Sequence, residues 1–412
     1  MQFLVNIESV NVSRPCSERV SKKLLNYTGI RYYFLGCIFC STKSGVVKVF
    51  VMRNVFFATL CLLVMSWAAV DAHDEMSASK RHVMNTEMVA HAQDWLSLLD
   101  SQQRESACFA FESDERLNWH FVPRDRLGLP LKAMNLQQRQ AAYVLLQTGL
   151  SHEGYLKATT IMSLESVLRE LEKDRPGNDN RRDPEKYWFS VFGTPSASKP
   201  WGWRLEGHHL SVNFSSVDGA VAAATPLFLG ASPAEIRSGP RAGQRVLAAE
   251  EDLARKLIVS LQENHAQKSV MLTEAPGEVF TVPDASLDLG SAQGVFGKEM
   301  TVSQQVLFQQ VVEQVVRTLR GEFADDVRVA ISGDALREVS FAWAGSFERG
   351  KGHYYRIHGP SFIIEYDNTQ NEANHAHVVW HSLHDNFGLD TLRRHYESEH
   401  APVNTKVRKS GP

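Results

Sequence analysis

The stretch Phe362–Trp380, FIIEYDNTQNEANHAHVVW, consists of two alternating runs on either side of the polar segment Thr369–Ala373. Successive residues of a strand face opposite sides of a sheet. If the two runs form a hairpin about that segment, Asp367 lies opposite His375 and Glu365 opposite His377. The even-numbered face then carries Phe362, Ile364, Tyr366, Ala376, Val378 and Trp380. The odd-numbered face carries Glu365, Asp367, His375 and His377. One face is core and the other gathers ligand-type side chains. The apolar partition supports the pairing without any appeal to function.

Further strands lead into this hairpin. Val327–Ile331, Glu338–Ala344 and Tyr354–Ile357 read as strands at meander spacing. Tyr187–Phe192 and Trp203–Phe214 read the same way, with a short strand at Trp119–Val122. Helical periodicity governs the region before them. Met84 to Phe111 places Val89, Ala92, Trp95, Leu96 and Leu99 on one stripe. Asn135 opens a second helix, and Ser151 caps a third that runs to Lys173. Gln244–His265 is amphipathic, and Ser303 caps a long helix that Gly321 stops near Arg320. Helices followed by successive strands predict an α+β fold: a helical N-terminal part packed on an antiparallel, meander-like sheet.

The chain has 412 residues, 22% of them charged, and a net charge of -3, which gives no electrostatic footprint for nucleic acid. Met52-Arg53-Asn54, an apolar run from Val55 to Ala69, and Val70-Asp71-Ala72 have the order of a signal peptide. The expected organisation is therefore upstream sequence translated in error over 1–51, a signal peptide over 52–72, one α+β domain over 73–400 and a tail over 401–412. Export to the periplasm or beyond follows as an expectation, with no membrane association after cleavage. Of five cysteines, Cys16, Cys37, Cys40 and Cys61 precede the expected cleavage site. Only Cys108 stays in the mature chain, so no internal disulfide is expected.

Half of the 16 histidines fall between His353 and His400, but clustering alone decides little; parity does. In Glu206-Gly-His-His-Leu-Ser-Val-Asn-Phe214, His209 shares a face with Ser211 and Asn213. Beside the hairpin, His209 would enter the same polar pocket as His375 and His377, and His208 could support it from the strand end. Two or three histidines with a carboxylate suit zinc, iron or copper. The expected nitrogen ligands are His209, His375 and His377, with His208 in support and Asp367 as oxygen ligand. Glu365 or Asp367 would take a proton from metal-bound water, and Arg356 would clamp an anionic small-molecule substrate. Asn374 reads as a turn former and His381 as a solvated residue.

The runs WGWRLEGHHLSVNF (Trp201–Phe214), TPLFLGASPAEI (Thr225–Ile236) and HYYRIHGPSFIIEYDNTQNEANHAHVVW (His353–Trp380) carry a resemblance. WHFVPRDRLGLPL (Trp119–Leu131) and RDPEKYWFSVFGTP (Arg182–Pro195) add to it. Together they resemble a bacterial family, the domain of unknown function numbered three thousand five hundred. The resemblance spans nearly all of the chain after residue 73 and implies one domain, but it supplies no reaction. His381 departs from it, since an arginine is expected after the tryptophan.

The leading expectation is an exported metal-dependent enzyme, with hydrolysis as its default reaction. A set of two histidines and one carboxylate would equally suit non-haem iron and an oxygenase. A non-catalytic metal- or ligand-binding protein is the alternative from another class. A metal-free enzyme using Glu365 and Asp367 as an acid–base pair is the third.

Overall fold

The computed structural model describes residues 21–27, 30–36, 79–283 and 286–399. The chain divides into two compact units, Met1–Ala72 and His73–Pro412. In the first, Ser21–Tyr27 pairs antiparallel with Ile30–Gly36. The signal-like segment Met52–Ala72 and the tail 401–412 lie outside the described residues. Among the described residues no helix is long and apolar enough to cross a membrane.

The second unit is built on one sheet. Its main strands are β1 (Tyr187–Phe192), β2 (Trp201–Gly207), β3 (Leu210–Val217), β4 (Leu227–Ala231), β5 (Ser340–Gly345), β6 (His353–His358), β7 (Phe362–Thr369) and β8 (His375–Ser382). In space they run β5-β6-β7-β8-β4-β3-β2-β1, and every neighbouring pair in that row is antiparallel. Among the described residues parallel pairing occurs only at the two edges, where Val270–Leu272 joins β5 and Cys108–Phe109 joins β1. The α+β reading therefore holds, with a mixed, mostly antiparallel sheet.

The β7–β8 hairpin forms, but two residues out of the expected register. Asp367 pairs with His377 and Glu365 with Val379. The reason is that β7 runs on to Thr369, so the turn falls at Gln370–Asn374. A slip of one residue would exchange the faces, whereas a slip of two preserves them. Phe362, Ile364, Tyr366, Ala376, Val378 and Trp380 accordingly lie in the main core. The odd-numbered face is also covered: Phe228 and Val379 pack there against Trp119, Phe121, Val279 and Phe387.

Helices cover the main-core face. α1 occupies 79–97, and α2 (Leu136–Gly149) starts at Asn135 with a reciprocal Asn135–Gln138 capping box. α3 (His152–Leu171) is capped by Ser151, whose Oγ accepts from the Gly154 amide at 3.0 Å. α4 spans Ala248–Ser269 and α5 Val302–Val316. The α5 cap is Thr301, paired with Gln304, and not Ser303 as the sequence suggested. Three further expectations are corrected here. Gly321 begins a helix, Gly321–Ala330, so Val327–Ile331 is not a strand. Phe323, Val327 and Ile331 recur every four residues, which is the helical period that a five-residue window misses. Trp119–Val122 joins no ladder and instead lies over the odd-numbered face.

A candidate metal centre of three histidines

The site begins at a correction to the strand pattern. Trp203–Phe214 is not one strand, because Gly207 pairs with Leu210 and leaves His208 and His209 as a two-residue turn between β2 and β3. His209 has a φ of 62°, the left-handed region that histidine enters more readily than most residues. Its backbone is held on both sides. The His209 amide donates to the Phe121 carbonyl at 2.9 Å, and the His209 carbonyl accepts from the Gly230 amide at 2.7 Å. Arg126 pins the chain over this turn by donating to the carbonyls of His120, Val122 and Gly207 at 2.9, 2.8 and 3.1 Å.

β4 lies between β3 and β8, and Gly230 of β4 sits opposite His377. With no side chain there, the His209 ring lies across Gly230 and reaches the histidines of β8. The three Nε2 atoms converge: His209 to His375 is 2.7 Å, His375 to His377 is 3.0 Å, and His209 to His377 is 3.4 Å. An ion about 2.0–2.1 Å from three nitrogens separates them by about 2.9 Å at right angles and about 3.4 Å at tetrahedral angles. The observed spacings bracket both. His209 and His377 are buried, while His375 is partly exposed at the rim.

Behind His377 stand two carboxylates. Its Nδ1 lies 2.7 Å from Glu278 Oε1 and 3.0 Å from Asp367 Oδ1. Asp367 thus meets the edge of the ring opposite the convergent nitrogens, which is the place of an orienting partner more than of the oxygen ligand the sequence suggested. Asp367 and Glu278 also form, with His377, a second grouping close enough to hold an ion. Burial opposes charge on His377, yet the hydrogen bonds and charges of Asp367 and Glu278 outweigh it and carry its pKa to about 9. Burial, then the charge of His377, presses His375 down to about 3. Burial, then His208, holds His209 well below the usual imidazole range. Two rings are therefore held neutral, and the third would have to lose a proton to serve as a ligand.

Glu278 was not legible in the sequence. It stands in an aperiodic loop whose one signal is Pro276-Gly277, and that signal marks a turn, not a site. The same loop explains Glu365. Its carboxylate accepts from the Phe280 amide, the Thr281 amide, the Thr281 hydroxyl and the Tyr354 hydroxyl. Glu365 thus clamps residues 280–281 onto the sheet, and its oxygens are already engaged. Arg356 is buried next to Glu365 in register and donates to Gln293 at 3.4 Å.

His208 turns away from the three-histidine group. Its ring stacks on His209 with centroids 3.7 Å apart, and its nitrogens meet Glu165 of α3 and Arg182, the latter at 3.1 Å. Burial, only partly offset by Arg182, raises Glu165 to about 8. His381 is buried and not solvated: its Nε2 donates to the Thr281 carbonyl at 3.1 Å and its Nδ1 accepts from Asn386 at 2.8 Å. Asn374 sits at the end of the turn, its backbone amide donating to the Gln370 carbonyl at 3.2 Å, while its side chain binds the backbone of Glu235 on another loop.

No curated protein and no solved structure matches this chain. A family model described as a protein of unknown function, DUF3500, matches residues 81–389, which include every strand of the sheet core and all three histidines. The chain belongs to the DUF3500 family.

Proposed function

We propose that the protein is a metal-dependent enzyme, with one divalent ion held by His209, His375 and His377 and with hydrolysis as its reaction. The observation that carries this reading is the convergence of three Nε2 atoms at 2.7, 3.0 and 3.4 Å. Three protein ligands leave a further position free, the pattern of catalytic and not structural zinc. His375 is the partly exposed member of the three, so water or substrate would reach the ion from its side. Three neutral imidazoles leave the ion its full double charge, which favours ionising a bound water near neutral pH without a separate base. Asp367 and Glu278 then balance that charge through His377 and fix the ring's tautomer.

Zinc suits this donor set best, and iron or copper would also accept imidazole. A small-molecule substrate is proposed with it. Elemental analysis of untagged protein should find about one transition metal per chain, and His209→Ala, His375→Ala and His377→Ala should each lower affinity at least about tenfold. A wild type that binds no zinc, iron, copper or manganese at micromolar concentration would sink the proposal. The Nε2 spacings also fit hydrogen bonds between imidazoles, so a metal-free polar pocket is the reading that would then stand. Export is proposed on the Met52–Ala72 pattern alone, and N-terminal sequencing of secreted material should begin at or near His73.

A further inference from the structure

Residues 276–281 belong to no helix or strand, yet they carry Glu278, whose Oε1 lies 2.7 Å from His377 Nδ1. A partly exposed glutamate on an irregular segment has many rotamers open to it and gives them up when it is held against one ring. The segment is fastened on both sides of Glu278. At one end, Gln370 of the β7–β8 turn donates to the Gly277 carbonyl at 3.3 Å and to Glu278 Oε2 at 3.2 Å. At the other end, Thr281 is tied through three of its atoms. Its amide donates to Glu365 Oε2 at 2.9 Å, its hydroxyl donates to the same oxygen, and its carbonyl accepts from His381 Nε2 at 3.1 Å. Thr281 and Glu365 are both fully buried.

The bonds of Thr281 run to Glu365 and His381, not to the three convergent histidines. Its link to them is the chain itself. Three residues separate Thr281 from Glu278, a reach of about 10 Å at most, so a shift of Thr281 passes to the carboxylate on His377. Gln370 acts more directly, by holding the second oxygen of that carboxylate. We propose that Thr281 and Gln370 are positioning residues of the metal centre, which together hold Glu278 on His377 and thereby raise the affinity for the ion. The inference rests on the metal reading of the three histidines. It adds to that reading two residues that are not placed as ligands and do not bond to one.

Zinc affinity of the full chain, measured by competition against a calibrated chelator, tests this through double-mutant cycles. Thr281→Val removes the hydroxyl donor and should weaken zinc binding at least about threefold. Thr281→Ser keeps the donor and should stay within about twofold of the wild type. In a Glu278→Gln background, Thr281→Val should cause no further loss, because the carboxylate that it positions is already gone. A threonine that only supports the fold would weaken binding by the same factor in both backgrounds. Gln370→Ala changes a partly exposed side chain and decides the matter if Thr281→Val does not fold. It too should lose at least about threefold alone and nothing further beside Glu278→Gln. The proposal is overturned if these variants bind zinc as the wild type does, or if their losses carry over unchanged into the Glu278→Gln background. A serine variant as weak as the valine variant also overturns it. A wild type that binds no transition metal brings down the histidine centre and this inference together, whereas a wild type that binds zinc while the losses add brings down this inference alone.

Discussion

Gly230 and His209 are in such close contact that a Cβ added to Gly230 would lie 2.9 Å from two carbons of the His209 ring. Real Cβ atoms do not come that near, so a side chain at 230 must displace the ring. The absence of a side chain on β4 is what lets a histidine from the β2–β3 turn reach across to β8. Gly230→Ala therefore tests the site without removing a ligand. Metal affinity should fall at least about tenfold while the thermal unfolding transition remains cooperative. Unchanged metal binding in this variant would show that His209 is not a ligand.

The tip of the β7–β8 hairpin supplies a second test. Asn371, Glu372 and Ala373 have φ values of 52°, 55° and 56°, a run of three left-handed residues without a glycine. Each costs about 1 kcal/mol or more relative to glycine at the same angles. Strain of this kind clusters at functional sites, and here it sits beside His375, whose Nδ1 lies 3.3 Å from Asn371. Glu372 is exposed, so Glu372→Gly gives up little contact. The variant should be more stable by about 1 kcal/mol in chemical denaturation, less the added entropy of the unfolded chain. A loss of stability would show that the turn does not hold these angles in solution.

These two cases mark what the sequence could and could not say. Alternation alone placed Glu365, Asp367, His375 and His377 on one face, because an apolar residue misplaced by one position leaves the main core for a face of buried carboxylates and histidines, and the pattern records that constraint. Register was not recorded, because a shift of two residues leaves the same partition. His208 and His209 look identical in one dimension. Their separation into an Arg182–Glu165 contact and a three-histidine group depends on a two-residue turn whose own positions hold neither Gly nor Asn. Glu278 and Gly230 were illegible for a related reason: each acts through a neighbour brought from far along the chain. Glu365 drew attention as a carboxylate near histidines, yet its four donors make it an anchor for the loop that carries Glu278.

Acid should weaken the fold through histidines that it keeps neutral. Burial is the main cause that brings His381 down to about 4, against the opposing bonds from Thr281 and Asn386, and burial with Arg255 brings His353 to about 4. An unfolded histidine titrates near 6.5. Between those values the unfolded chain binds more protons than the folded one, so stability rises with pH across that window. It is fully present above about pH 6.5 and is lost as pH falls toward about 4. His381→Gln can keep one donor and one acceptor in place but cannot titrate. It should lower stability at pH 7 and reduce the further loss between pH 7 and pH 5, measured by denaturant unfolding in chelator. An unchanged acid slope would mean that His381 is not held neutral.

The last test concerns the carboxylates behind His377. Three neutral imidazoles and a divalent ion would leave two positive charges in a largely buried site, and Asp367 and Glu278 are the two carboxylates that stand against His377. Removing either should leave charge uncompensated and loosen the ring's tautomer at once. Asp367→Asn and Glu278→Gln should each weaken metal binding by about 10–100-fold, although neither is placed as a ligand. Asp367 is fully buried and the Glu278 side chain is 30% exposed, so the asparagine variant should suffer more, because solvent screens the second charge. Metal stoichiometry should stay near one per chain in both, in contrast to variants of the histidines themselves. Competition titrations against a calibrated chelator would measure this ordering. Equal and negligible effects would mean that the carboxylates serve only to hold a charged, metal-free His377.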